Sequence, residues 1–197
     1  MQNRFIAQKI IALADDINKT GARRVYALID GALHRAAFTR VQEFGRVQSV
    51  IPIGGVVAKS DLSVLPFLID LSAMRIMRRD RLIADLSAWA LEYSAVTWME
   101  SRLPIATLAE QLAIRLEAEV QQSMSVLLRF ADARVLPVLH DTLDAEQRIQ
   151  FFSCVTNWWF VSRRGELQSL PLHSAQISEP LAFKPPLHLS EQQEGRL

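Results

Sequence analysis

Apolar side chains recur at helical spacing in several parts of the chain. At the N-terminus they lie four, three and four positions apart, at Ile6, Ile10, Leu13 and Ile17. This spacing places them on one face and predicts an amphipathic helix over residues 4–18. The same pattern predicts helices over 76–91 and 108–120.

Two polar motifs indicate where helices begin. Thr107 and Glu110, and later Asp144 and Gln147, have the three-residue separation of a capping box. In such a box, the first side chain accepts a hydrogen bond from a free backbone amide and the second reaches back to the first residue. We therefore expect one helix to begin at Thr107 and a second, shorter helix to begin at Asp144.

Compact apolar runs lie between the predicted helices. Such runs, bounded by turn residues, are typical of buried strands. They cover residues 25–29, 49–53, 66–71, 95–99 and 125–130, and a hairpin is predicted from 155–161 and 166–170. Strands that alternate with helices predict an α/β fold, with a mostly parallel or mixed sheet flanked by helices.

A change in composition divides the chain near residue 170. Residues 1–170 carry the predicted helices and strands and are expected to form one α/β domain. Residues 171–197 contain four of the eight prolines and are otherwise mostly polar. They are expected to form a short extended tail without a core of its own.

Overall charge and hydropathy exclude several classes of protein. Half of the residues are apolar, which is typical of a globular protein, and the net charge is only +1. Such a balance provides no global field to attract nucleic acid or an anionic membrane. The chain shows no signal-peptide pattern and no apolar run long enough to span a bilayer, so a cytoplasmic location is expected.

Cysteine and histidine are too sparse to suggest a metal site. Cys154 is the only cysteine, lies between apolar residues, and is expected in the core. None of the four histidines has a second histidine or the cysteine three or four positions away. We therefore expect neither a bound metal nor a cofactor.

Asp30 and Asp70 are the strongest candidates for catalysis. Each closes a predicted strand, and in open α/β sheets ligands bind beyond the carboxyl ends of strands. Paired there, they would suit a small metal-dependent enzyme. The simpler interpretation, which we favour, is that Asp30 forms an Asp-Gly turn and Asp70 caps the following segment.

Arginines at 75, 78, 79 and 81 cluster within one predicted helix. An RNA-binding module would use such a cluster, but Asp80 and Asp85 interrupt it and no aromatic stacking residues accompany it. A solvated helix face is the favoured interpretation.

A charged motif follows the fifth apolar run. Asp132 is placed to cap the next helix and to pair with Arg129 or Arg134, which is a structural role. Further on, Trp158 and Trp159 point to opposite faces of a strand, so that one can fill the core while the other covers a helix or a partner.

Several segments, taken in order, resemble one protein family. They are 26–32 with its Asp-Gly-Ala turn, 66–71 with its Pro-aromatic-Leu strand, Ser101 with the helix at 108–112, 129–136 with the pattern Arg-Phe-x-Asp-x-Arg-Val-Leu, and the strand at Trp158. In these segments the chain resembles the type VI secretion adaptors, the Tap or Tec effector chaperones, over about residues 25–165. The family commonly has an aromatic residue at the position of Ala131 and a proline at that of Ala133, so contacts made by those groups are missing here.

The resemblance implies a bacterial cytoplasmic protein without catalytic activity. Its partners would be a cognate toxin effector and the spike protein VgrG or its PAAR tip, with no role for nucleic acid or membrane. From the charged motif and the aromatic patch, the predicted partner-binding residues are Arg129, Asp132, Arg134, Trp158 and Trp159.

Overall fold

A computed structural model describes residues 2–42, 48–50, 64–120, 124–172, 183 and 185–196. The helices are α1 (Gln2–Thr20), α2 (Ala36–Gln42), α3 (Ile76–Tyr93), α4 (Ile105–Ala113), α5 (Val135–Thr142), α6 (Ala145–Phe152) and α7 (Glu191–Glu194). The strands are β1 (Arg24–Ile29), β2 (Gln48–Val50), β3 (Phe67–Asp70), β4 (Val96–Ser101), β5 (Glu117–Val120), β6 (Met124–Leu127), β7 (Asn157–Val161), β8 (Leu167–Ser169) and β9 (Leu187–His188). The predicted α/β class is confirmed.

The larger sheet has six strands in the order β2-β3-β1-β4-β7-β8, and its neighbouring strands are antiparallel. The expected sheet is mostly parallel or mixed; the larger sheet is instead antiparallel throughout, and only the smaller sheet is mixed. Helix α3 does connect two parallel strands, β3 and β4, as the alternating pattern suggested. However, β1 lies between them and is antiparallel to both. The position of β1 between β3 and β4 depends on contacts between distant segments, and the local spacing of apolar residues does not predict it.

The smaller sheet is mixed and includes part of the predicted tail. Its order is β6-β5-β9, with β5 antiparallel to β6 and parallel to β9. Phe183, Leu187 and Leu189 are buried in the domain core. Residues 185–196 dock on the domain, because Leu187 and Leu189 alternate with polar residues at strand spacing.

Strand β1 separates two apolar clusters. Val25, Ala27 and Ile29 face α1 and α3, whereas Tyr26 and Leu28 face α4 to α6 and the smaller sheet. Because both faces of β1 are covered by apolar residues, its side chains do not alternate between apolar and polar. This explains its continuous apolar sequence.

Some local predictions are confirmed by the structure. Helices α1 and α3, the β7–β8 hairpin and the capping box between Asp144 and Gln147 form as expected. Cys154 is buried, which raises the pKa of its thiol. The strand predicted over 49–53 is β2 at its start, and residues 51–53 lie outside the described part of the chain.

Two boundaries differ from the prediction. Helix α4 begins at Ile105, directly after Pro104, and ends at Ala113, so the predicted Thr107 cap and the continuation to Val120 are wrong. Proline fixes a backbone angle suited to a helix start, and it takes precedence over the weaker Thr-Glu signal. The strand predicted over 125–130 ends at Leu127.

Candidate partner-binding surface

Three chain segments meet just beyond the carboxyl end of β1. The Asp30 amide donates to the Ala95 carbonyl (2.8 Å), which joins the turn after β1 to the start of β4. The Ala133 amide donates to the Ser94 carbonyl (3.0 Å), which brings the loop after β6 to the same place. Residues that are far apart in sequence are therefore held side by side by backbone hydrogen bonds.

Asp30 lies at the centre of this junction and is buried. Its Oδ1 accepts hydrogen bonds from the backbone amides of Ala32 (3.0 Å) and Leu33 (3.3 Å), which form the expected turn. Its Oδ2 accepts from Nη2 of Arg129 at 2.9 Å. Arg129 therefore pairs with Asp30, 99 positions away, and not with Asp132.

Asp132 holds the second arginine of the predicted motif. Its Oδ1 accepts from Nε of Arg134 (2.9 Å) and its Oδ2 from Nη2 (2.7 Å), a bidentate pair. The hydrogen bond and charge of Asp132 raise the pKa of Arg134, with a smaller contribution from Asp30. The same carboxylate accepts from the Arg134 amide (2.9 Å), so side chain and backbone are fixed together.

In both pairs the carboxylate is inside and the guanidinium reaches outside. The side chains of Asp30 and Asp132 are 6% and 5% exposed, whereas those of Arg129 and Arg134 are 45% and 48% exposed. A guanidinium carries five N–H donors in a rigid fork. Each arginine is thus fixed on its inner side and presents donors to solvent, which suits recognition of carboxylates or backbone carbonyls.

Two aromatic rings lie on the segments that meet at this junction, and sequence reasoning missed them. His34 follows the Asp30 turn and stacks on Tyr93 at the end of α3, with ring centroids 4.6 Å apart and an interplanar angle of 12°. Partial burial lowers the pKa of His34, which favours the neutral ring. The two residues are 59 positions apart in sequence, and no motif connects them. We call Asp30, His34, Tyr93, Arg129, Asp132 and Arg134 the Arg129 surface.

The two predicted tryptophans lie elsewhere. Trp158 is fully buried, donates from Nε1 to Oγ1 of Thr97 (3.0 Å), and packs edge-on against Phe130. Trp159 is partly buried and packs against the cluster on the opposite face of the sheet. Of the five predicted partner-binding residues, Arg129, Asp132 and Arg134 lie together, whereas Trp158 belongs to the core.

Asp70 is at the other end of β1 from Asp30. It lies opposite Tyr26 in the β1–β3 ladder, four residues before Asp30, which corresponds to roughly 13 Å along a strand. Its Oδ2 accepts from Nη1 of Arg24 (2.7 Å) and its Oδ1 from the Ala73 amide (3.1 Å). The two carboxylates do not form a common site, because antiparallel pairing sends their strands in opposite directions. Among the described residues, no group of three potential metal ligands comes together.

The four arginines of the predicted cluster do not share one environment. Arg79 is buried and donates to Asp15 of α1 (2.7 Å) and to the neighbouring Asp80 (2.9 Å). It therefore fastens α3 to α1. Arg75, Arg78 and Arg81 are exposed on the solvent face of the helix.

A family model described as "Domain of unknown function (DUF4123)" matches residues 25–150, more than half of the chain. The matched part contains all six residues of the Arg129 surface. No curated protein and no solved structure matches the chain. Within the described residues, none of the helices combines the length and hydrophobicity that a bilayer crossing requires.

Proposed function

We propose that this chain, which belongs to the DUF4123 family known as the type VI secretion effector adaptor (Tap) domain, binds one cognate toxin effector and helps to load it onto a VgrG or PAAR spike protein. The observation that carries the proposal is the match over residues 25–150. We further propose that it acts in the bacterial cytoplasm, without catalysis. Nucleic acid and membrane have no part in the proposal, in keeping with a net charge of +1.

The Arg129 surface is the contact site that we propose for the effector. Arg129 and Arg134 are each held by a buried carboxylate, so little side-chain freedom is lost when a partner binds. Their outward N–H groups favour acceptors in a defined geometry and thereby provide specificity. Tyr93 and His34 add a stacked aromatic pair on two segments of the same junction, and aromatic residues and arginines are both common in binding hot spots.

The geometry of Asp30 favours binding over catalysis. Its two oxygens are engaged by two backbone amides and one guanidinium. A general base or metal ligand needs a lone pair directed towards a substrate or an ion. Both oxygens of Asp30 are instead used to build the surface.

Affinity purification from the native host, with the secretion cluster expressed, tests this function. We expect tagged wild-type protein to recover one toxin-like protein, identified by mass spectrometry. Arg129→Gln should reduce recovery at least about tenfold, because a well-placed contact contributes about 1.4 kcal/mol or more.

Arg24→Gln is the matched control for this experiment. Arg24 is also half exposed and also pairs with a buried aspartate, Asp70, but it lies at the opposite end of β1. The control should recover the effector as the wild type does. If the wild type recovered no effector, the adaptor function would be wrong; equal losses in both variants would reject the Arg129 surface as the contact site.

A further inference from the structure

Strand β6 forms an open edge of the smaller sheet. It pairs with β5 on one side and is the outermost strand of the order β6-β5-β9. In the part of the chain that the structure describes, no other strand pairs with its outer side. Its four residues, Met124 to Leu127, carry no charge and no proline, the usual protections of a strand edge.

The register determines which backbone groups of β6 point outward. The Leu128 amide donates to the Leu116 carbonyl, and Ala118 lies opposite Val126. In an antiparallel ladder, alternate residues bond to the partner strand, so Val126 faces β5. Ser125 and Leu127 therefore direct their N–H and C=O groups away from β5. The Glu119 carbonyl, opposite Ser125, accepts instead from Leu189 on the other side of β5, which agrees with this assignment.

Apolar side chains accompany the outward backbone groups. Met124 is 58% exposed and Leu127 is 47% exposed. Two residues past Leu127 comes Arg129, whose guanidinium is half exposed and belongs to the Arg129 surface. The open edge and the proposed contact surface are therefore continuous along the chain.

We propose that β6 receives an extended segment of the effector as an additional strand, an inference that rests on the proposed adaptor function. Only an extended chain satisfies a row of outward N–H and C=O groups at strand spacing. Met124 and Leu127 are three positions apart on the strand and point to opposite faces of the sheet. The segment would place one apolar residue against each of them and a carboxylate near Arg129. Backbone pairing supplies affinity, and these side-chain contacts select the effector.

A proline at Ser125 tests the backbone pairing directly. Ser125→Pro removes an N–H that the β5–β6 ladder does not use, and proline is tolerated where the N–H side of a strand faces solvent. The fold should therefore survive, as checked by thermal melting. Ser125→Thr keeps the N–H and is the matched control. If the proline variant unfolds, Leu127→Lys replaces it, because it charges the edge and leaves the backbone unchanged.

The probe is a phage-displayed library of linear peptides about ten residues long. Peptides are selected on the full-length wild-type protein and then measured against each variant. We expect the selected peptides to contain apolar residues on both faces of the extended chain and an acidic residue. Their affinity should fall at least about tenfold for Ser125→Pro and stay unchanged for Ser125→Thr.

Two results would overturn the inference. One is that no selected peptide distinguishes Ser125→Pro from the wild type. The other is that light scattering shows the free protein to be a dimer that Ser125→Pro dissociates, since the edge would then serve a second copy of this chain. Because the selection uses no effector, its failure alongside a successful Arg129→Gln experiment would leave the adaptor function standing with another docking site.

Discussion

The two ends of β1 carry the same chemistry in different structural settings. At the carboxyl end, Asp30 and Asp132 hold Arg129 and Arg134; at the amino end, Asp70 and Glu100 hold Arg24 and Arg23. In each of these four pairs the carboxylate side chain is at most 6% exposed and the arginine is between 36% and 51% exposed. Ion-pair composition alone therefore does not distinguish a contact surface from a structural feature.

The difference lies in which elements supply the residues. At the amino end the pairs follow from the ladders themselves, since Val25 lies opposite Glu100 and Tyr26 opposite Asp70. Glu100 also accepts from Asn157 of the neighbouring strand β7. At the carboxyl end the residues come from a turn and a loop beyond the strands. Loops on a rigid scaffold are where binding residues commonly lie, because their side chains are free of ladder constraints.

Removing the aspartate at each end gives the largest expected effect. Asp30→Ala removes the carboxylate that accepts from the Ala32 and Leu33 amides and from Arg129, and should lower the free energy of unfolding by about 2–3 kcal/mol. Asp70→Ala removes one hydrogen bond from a backbone amide and the ion pair with the half-exposed Arg24. It should lower the free energy of unfolding by about 1–2 kcal/mol. Urea unfolding followed by circular dichroism measures both. A larger loss for Asp70→Ala would contradict the view that Asp30 organises the carboxyl end.

Removing charge without changing shape sharpens the comparison. Asp132→Asn and Glu100→Gln should each lower the free energy of unfolding by about 1 kcal/mol, because each weakens a pair with a partly exposed arginine. Only Asp132→Asn should also reduce effector recovery, since Arg134 loses its bidentate anchor. Affinity purification alongside urea unfolding separates the two effects. Reduced recovery with Glu100→Gln at unchanged stability would indicate that the amino end also contacts the effector.

The smallest expected effect is a pH dependence at the carboxyl end. Burial lowers the pKa of His34 below its ordinary value of 6.5 in the folded protein. As pH falls, His34 is therefore protonated in the unfolded chain at a higher pH than in the folded protein. The free energy of unfolding decreases as pH falls from 6.5 towards the pKa of the folded state. His34→Phe keeps the ring against Tyr93 and removes the proton site, so its stability should change less between about pH 7.5 and 5.5. Identical pH profiles for variant and wild type would show that His34 contributes nothing.

Local prediction succeeded where the signal was short-range. The apolar spacing of α1 and the reciprocal bonds of the Asp144–Gln147 box depend only on residues within a few positions of one another. The helix predicted over 108–120 forms as far as Ala113. The prediction ran past that residue because Leu116 and Val120 keep helical spacing although α4 has already ended. The change from α4 to β5 depends on the pairing of β5 with β6 and β9, and the spacing of apolar residues along the chain does not reveal that pairing.

The candidate surface was only partly predictable. Arg129, Asp132 and Arg134 stood out because charges recur close together after an apolar run. The stacked pair of His34 and Tyr93 had no local signal, since neither residue belongs to a motif in the sequence around it. Trp158 was assigned to a partner because aromatic residues are common both in cores and at interfaces, and its sequence context fits either.

By itself, the sequence determined the α/β class, most helices and strands, the Asp30 turn, and motifs that resemble the adaptor family. Only the tertiary structure decided that β1 inserts between β3 and β4, that Asp30 and Asp70 lie at opposite ends of it, and that Arg129 pairs with Asp30. Periodicity and capping depend on neighbours along the chain. Strand order and ion pairing between distant segments depend instead on which apolar faces are buried against each other, and that is settled when the whole domain packs.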